Sequence, residues 1–145
     1  MVIGIVGLGL IGGSMAKAIK QTGMHKVLGM DIQKSVIERA LQAGAIDEEL
    51  GDNKFSECEM VIIALYPRET VQFVKEKGSL LRKGVVVLDC CGVKQNVCNQ
   101  VQPIASQLGI HFVGGHPMAG IEFSGFEHST GSLFKGASMI LTPPE

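Results

Sequence analysis

A chain of 145 residues is the length of one ordinary domain and can bury roughly 70% of the surface its extended form exposes. With 46% apolar and 19% charged residues it has globular composition, which excludes disorder and fibrous repeats. The formal charge is −1 and Lys and Arg are scattered, so no basic face is gathered for a nucleic acid or a membrane surface. A small-molecule partner is expected.

Met1 leads directly into the apolar run 2–6, which stops at Gly7, too short for a signal peptide or a membrane span. A cytoplasmic location is expected. Further strand-length apolar runs fall at 27–31, 60–65, 85–89, 110–113 and 138–141. Most are continuous rather than alternating, as strands covered on both faces should be. Helical spacing occupies 12–22, 34–43, 67–77 and 93–108, the last expected to kink or split near Pro103. Gly23 and Gly44 stand at helix ends and Pro67 at a helix start. Strand and helix alternate, which predicts an α/β fold with a mostly parallel sheet and helices on both faces. The stretch 114–136, rich in Gly, Ser and His, is longer than a usual connection, and such loops are usually functional.

Cys58, Cys90, Cys91 and Cys98 show no C-x-x-C spacing, and reduced thiols with no metal site are expected.

The first strand–helix turn reads Gly7-Leu8-Gly9-Leu10-Ile11-Gly12-Gly13-Ser14, a G-x-G-x-x-G between a predicted strand and a predicted helix. That context identifies a Rossmann-type, doubly wound dinucleotide site. Gly7 permits the tight turn, Gly9 the approach of a pyrophosphate, and Gly12 close helix–sheet packing, with Leu10 and Ile11 between them at the helix N-terminus. Asp31, nineteen residues beyond Gly12, closes the second strand where a carboxylate accepts the adenine-ribose hydroxyls. This favours NAD, with NADP left open by Lys34 nearby. FAD proteins share the turn, but the later strands and loops suit a nicotinamide enzyme better. Residues after later strands should also line the ligand: Ala64-Leu65-Tyr66-Pro67, then Asp89-Cys90-Cys91-Gly92. Tyr66 reads equally well as an exposed loop aromatic, and the cysteines as strand-end packing.

After the fifth run comes Gly114-Gly115-His116-Pro117-Met118-Ala119-Gly120, with Glu122 two residues on and then Ser124-Gly125. From the residues alone, His116 is either a general base titrating near neutrality or a histidine that stabilises its loop. His111 lies within a strand run, His128 in a polar stretch, and His25 before a strand.

The GGHPMAG segment, with GLGLIGGS at the start, Asp89 followed by Val93-Lys94, and Leu133-Phe134 before Leu141-Thr142-Pro143, resembles the prephenate and arogenate dehydrogenases over essentially the whole chain. The resemblance implies NAD(P)-dependent oxidative decarboxylation of prephenate to 4-hydroxyphenylpyruvate, a step toward tyrosine. It implies His116 as the catalytic base, Glu122 as a gating or substrate-orienting group, and Lys94 as a holder of the loop or an attractor of the anionic substrate. This chain departs from the pattern at Gly92, where the family often has a serine able to hydrogen-bond the histidine and the substrate hydroxyl. The family also carries a second, helical domain that forms a homodimer and supplies an arginine for the substrate carboxylate. Arg39, Arg68 and Arg82 sit in helical segments away from the His116 loop. Residues 1–145 therefore read as the cofactor domain without that partner domain, with NAD binding retained and turnover weak or absent. The competing readings are an arogenate dehydrogenase, a β-hydroxyacid-type dehydrogenase, and a catalytically silent NAD-binding regulatory module.

Overall fold

The computed structural model of the chain describes residues 1–144, and its centre is a seven-stranded sheet. The strands are β1 (Val2–Val6), β2 (Lys26–Met30), β3 (Glu48–Glu49), β4 (Met60–Ile63), β5 (Val86–Asp89), β6 (His111–Pro117) and β7 (Met139–Thr142). The helices are α1 (Leu10–Gln21), α2 (Lys34–Gln42), α3 (Pro67–Lys77) and α4 (Gln95–Leu108). In space the strands run β3-β2-β1-β4-β5-β6-β7, all parallel except the β6–β7 pair. This is the Rossmann order, and it reverses direction between β1 and β4.

The apolar strands sort their side chains between two layers because successive residues point to opposite faces. Val61 and Ile63 of β4 join the cluster beneath α3 and α4, with Phe55, Val74, Val87, Val101 and Phe112. Ile62 joins the opposite cluster with Ile3, Ile5 and Val27, roofed by Ala16 of α1 and by Ile37 and Ala40 of α2. Both faces are thus covered, as continuous apolar strands require.

Four details differ from the sequence expectations. The first helix starts at Leu10, two residues before the expected start, with Gly9 as its N-cap. The fourth starts at Gln95 and runs unbroken through Pro103 to Leu108. Pro103 and Asn99, whose carbonyl loses its helical partner, both face solvent, where water replaces the bond. The two-residue β3 has no apolar run to announce it and is fixed by pairing with Leu28 and Gly29. β6 continues four residues past the expected end at Val113. Gly114, Gly115, His116 and Pro117 pair antiparallel with Thr142, Leu141, Ile140 and Met139, so His116 sits in a strand rather than a loop. No helix among the described residues is long and apolar enough to cross a membrane.

Candidate functional site

Because β1, β2, β4, β5 and β6 are parallel, everything that follows them gathers along one crest of the sheet. The glycine turn follows β1 at the point where strand order reverses. Gly7 has φ +88°, and a Cβ there would stand 2.5 Å from Ala64 O. A Cβ on Gly12 would overlap Gly7 O. Gly9 is the opposite case: nothing lies within 4 Å of its Cβ position, so the turn leaves open space at its tip. Gly13 N–H is the first in α1 to bond back, to Gly9 O at 2.9 Å. The N–H groups of Leu10, Ile11 and Gly12 are therefore left for an outside acceptor. No side chain caps α1 and no acidic residue lies in its first turn, so its positive dipole end is uncompensated.

Asp31 follows β2 and uses both carboxylate oxygens locally. Oδ2 accepts Leu8 N–H at 2.9 Å and Oδ1 accepts Gln33 N–H at 2.9 Å. The same carboxylate thus fixes the glycine turn and faces the crest half-exposed, with lone pairs left for two hydroxyls. After β4, Ala64 and Leu65 are half-buried and Tyr66, the N-cap of α3, is 81% exposed. After β5 the two cysteines separate. Cys90 is half-buried and packs toward the α1 and α2 layer. Cys91 turns into the other core, with its sulfur 3.4 Å from Leu65 O and 3.4 Å from Thr70 Oγ1. The Cys91 thiol is thus turned into the core, and what Cys91 presents to the crest is its backbone in the turn after β5. Burial pushes the Cys90 thiol up to about 12 and that of Cys91 up to about 11, so both are neutral at physiological pH.

His116 stands at the crest end of β6, half-buried. A Cβ on Gly92 would lie 3.6 Å from its Nε2, so the imidazole edge faces the turn after β5. What holds that turn against β6 is Asp89, which is fully buried. Its Oδ1 accepts Gly115 N–H at 3.0 Å, its Oδ2 accepts Cys91 N–H at 2.9 Å, and the Lys94 ammonium pairs with Oδ2. Lys94 is thus engaged as the counterion of a buried carboxylate. Sequence reasoning placed Asp89 at the strand end but missed its role as the buried partner of Lys94 and Gly115. Its signal was a carboxylate ending an apolar strand with a lysine five residues on. Glu122 is exposed in the connection between β6 and β7 and has no hydrogen bond or ion pair among the described residues. His128 stacks on Phe123 at 4.8 Å between ring centroids, His25 meets the N-terminus, and His111 is exposed on β6. Arg39, expected away from this connection, reaches it at Glu127, 3.4 Å away.

No cluster of His, Cys, Asp and Glu among the described residues could hold a metal ion, and all four cysteines are free thiols. The arrangement is an open anion cradle, a carboxylate suited to sugar hydroxyls, and an imidazole on the same crest.

The sequence profile of the family described as "Prephenate dehydrogenase, nucleotide-binding domain" matches residues 15–145, beginning just after the glycine turn. Prephenate dehydrogenase of Bacillus subtilis is 38% identical over 96% of this chain and 38% of its own length. The structure of prephenate dehydrogenase from Aquifex aeolicus, in complex with hydroxyphenyl propionate and NAD+, superposes with a TM-score of 0.90 at 33% identity. It covers 100% of this chain and 51% of that one. Synechocystis arogenate dehydrogenase gives 0.89 at 31% identity, again covering 100% and 51%. The chain spans about half the length of those two solved structures and less of the Bacillus subtilis relative.

Proposed function

The chain belongs to the prephenate dehydrogenase family as a nucleotide-binding domain, and on that premise we propose that it binds NAD along the crest and supplies the imidazole for oxidative decarboxylation of prephenate. The observation that carries this reading is the placement of His116 against the Gly92 turn on the same sheet edge as the uncapped glycine turn. The N–H groups of Leu10, Ile11 and Gly12 receive the pyrophosphate, and the free space at Gly9 admits it. Asp31 accepts the adenine-ribose hydroxyls and repels a 2′-phosphate, which sets NAD above NADP. NAD, when held by these residues, would supply the acceptor for the hydride released from the substrate ring. His116 takes the proton of the ring hydroxyl as that hydride leaves, carbon dioxide departs as the ring becomes aromatic, and the imidazolium returns the proton to the ring oxygen, giving 4-hydroxyphenylpyruvate.

The arogenate reading is kept because an arogenate dehydrogenase aligns over the whole chain nearly as well. The groups that would separate a keto from an amino side chain lie outside the residues placed here. Arg39 pairs with Glu127, Arg82 is exposed, and Arg68 is exposed in the first turn of α3; the cation for the substrate carboxylate and any dimer contact are proposed to come from the second domain that the family carries. A cytoplasmic setting, free of membrane or nucleic acid, completes the proposal.

Turnover of prephenate, arogenate and small hydroxy acids with NAD by the complete enzyme tests the assignment. His116→Asn should lower turnover of the preferred ring substrate by about 10²–10⁴ with NAD affinity unchanged. Reduction of NAD with hydroxy acids alone, or full turnover by the variant, would contradict it.

A further inference from the structure

The turn motif contains two residues that phosphate binding does not use, Gly13 and Ser14, and both are fully buried or nearly so. They face residues 126–130, in the long connection between β6 and β7. A Cβ on Gly13 would stand 2.8 Å from Phe126 Cδ2 and 2.9 Å from Ser129 Oγ, so only glycine leaves room. Ser14 Oγ accepts Thr130 N–H at 3.0 Å. One turn further along the same helix face, Lys17 donates to Ser129 O at 2.8 Å, and its ammonium lies 4.5 Å from the centre of the Phe126 ring. Phe126 and Ser129 are 5% and 7% exposed, so the segment is packed down rather than draped over α1. Steric fit, hydrogen bonding and a cation over a ring therefore all join α1 to one segment more than a hundred residues away.

We infer that Gly13, Ser14 and Lys17 are positioning residues: they form a seat for residues 126–130 that fixes the His116 hairpin relative to the glycine turn, so that dinucleotide binding and order in residues 118–130 are linked. His116 leaves β6 through Pro117, and residues 118–125 hang between that strand and the seat. They carry Glu122 and the exposed Met118, Ile121 and Phe123. With one end held by the β6–β7 pairing and the other by the seat, this stretch stays beside the imidazole instead of swinging into solvent. Gly13 immediately follows the free N–H of Gly12, so a ligand that fixes the first turn of α1 also fixes the seat. Linkage then runs equally in the other direction. The seat stands on the contacts alone; its link to the cofactor rests on the nucleotide-binding reading.

Hydrogen exchange by mass spectrometry on the full chain, with and without NAD, tests both parts. Without ligand, Gly13→Ala and Lys17→Met should speed exchange in 118–130 at least tenfold while the β1, β4 and β5 amides keep their protection. Lys17→Arg should restore it, since it keeps the donor and the cation over the ring. Unchanged exchange in both loosening variants, or acceleration spread evenly over the core, would overturn the seat. With NAD, exchange in residues 126–130 of the unaltered chain should slow, and Lys17→Met should weaken NAD binding several-fold. Calorimetric binding of NAD with no slowing there would overturn the linkage. No binding at all would overturn the nucleotide reading and the linkage together, while the ligand-free comparison would still decide the seat.

Discussion

Asp89 holds its carboxylate at zero exposure by receiving the N–H groups of Cys91 and Gly115 and the Lys94 ammonium. Removing one partner of a buried ion pair leaves an uncompensated charge, which costs about 3–5 kcal/mol. Lys94→Met should therefore cut unfolding stability by about that much in urea titrations. A lysine reserved for substrate would leave stability untouched, and that result would return Lys94 to the substrate. Gly92 makes a second residue-scale case. Its backbone is not in the left-handed region, and a Cβ would sit at ordinary contact distance from His116 Nε2. Gly92→Ser should fold without loss and place a hydroxyl within hydrogen-bond reach of the imidazole, visible in a crystal structure of the variant. A displaced His116 ring would show that the turn has no room. The glycine turn and Asp31 were legible by their spacing, whereas His116 stayed open between two roles until the resemblance of the GGHPMAG segment singled it out. The direction of the Cys91 side chain and the partner of Lys94 were not legible, because neighbouring residues at a strand end point to opposite layers and only the packed sheet says which.

At the scale of elements, the sheet edges were the least readable parts. β3 has no apolar pattern and is held from outside, since Glu48 accepts from Lys26 at 2.5 Å and also pairs with Lys54. Hydrogen bonds from Lys26 and then Lys54, with their charges, hold the Glu48 carboxyl down to about 2. A carboxyl lowered from about 4.5 in the unfolded chain stabilises the fold above that pH and loses the contribution as pH falls toward 2. The thermal midpoint of the unaltered chain should accordingly drop more steeply over that window than that of Glu48→Gln. Added salt should shrink the difference because the pair is exposed. Parallel acid profiles would remove the edge pair from the account. On the other edge, the Gly-Gly-His-Pro stretch breaks every strand propensity. β6 nevertheless runs through it because β7 pairs back residue by residue, a long-range partner that no local pattern could supply.

Over the whole molecule, continuous apolar strands, alternating helices and the β1/β4 reversal place a cradle, a carboxylate and an imidazole on one edge before any particular chemistry is considered. That architecture was readable from the order of apolar runs, since strands covered on both faces leave few ways to arrange the helices. The burial of Cys90 and Cys91 gives a prediction for the folded molecule as a unit. With the thiols raised to about 12 and about 11, both should react slowly with a thiol reagent at pH 8 and rapidly in denaturant. Fast reaction in the native chain would mean the crest is looser than described.

The central claim, that the uncapped turn and Asp31 together hold NAD, is tested most directly by calorimetric titration of the chain with NAD, NADP and FAD. One NAD should bind per chain, more tightly than NADP and with FAD absent from the site. Gly9→Val, which fills the open tip of the turn, should abolish binding, and Asp31→Asn should narrow the preference for NAD over NADP. Equal binding of all three, or NAD binding that survives Gly9→Val unchanged, would contradict the account.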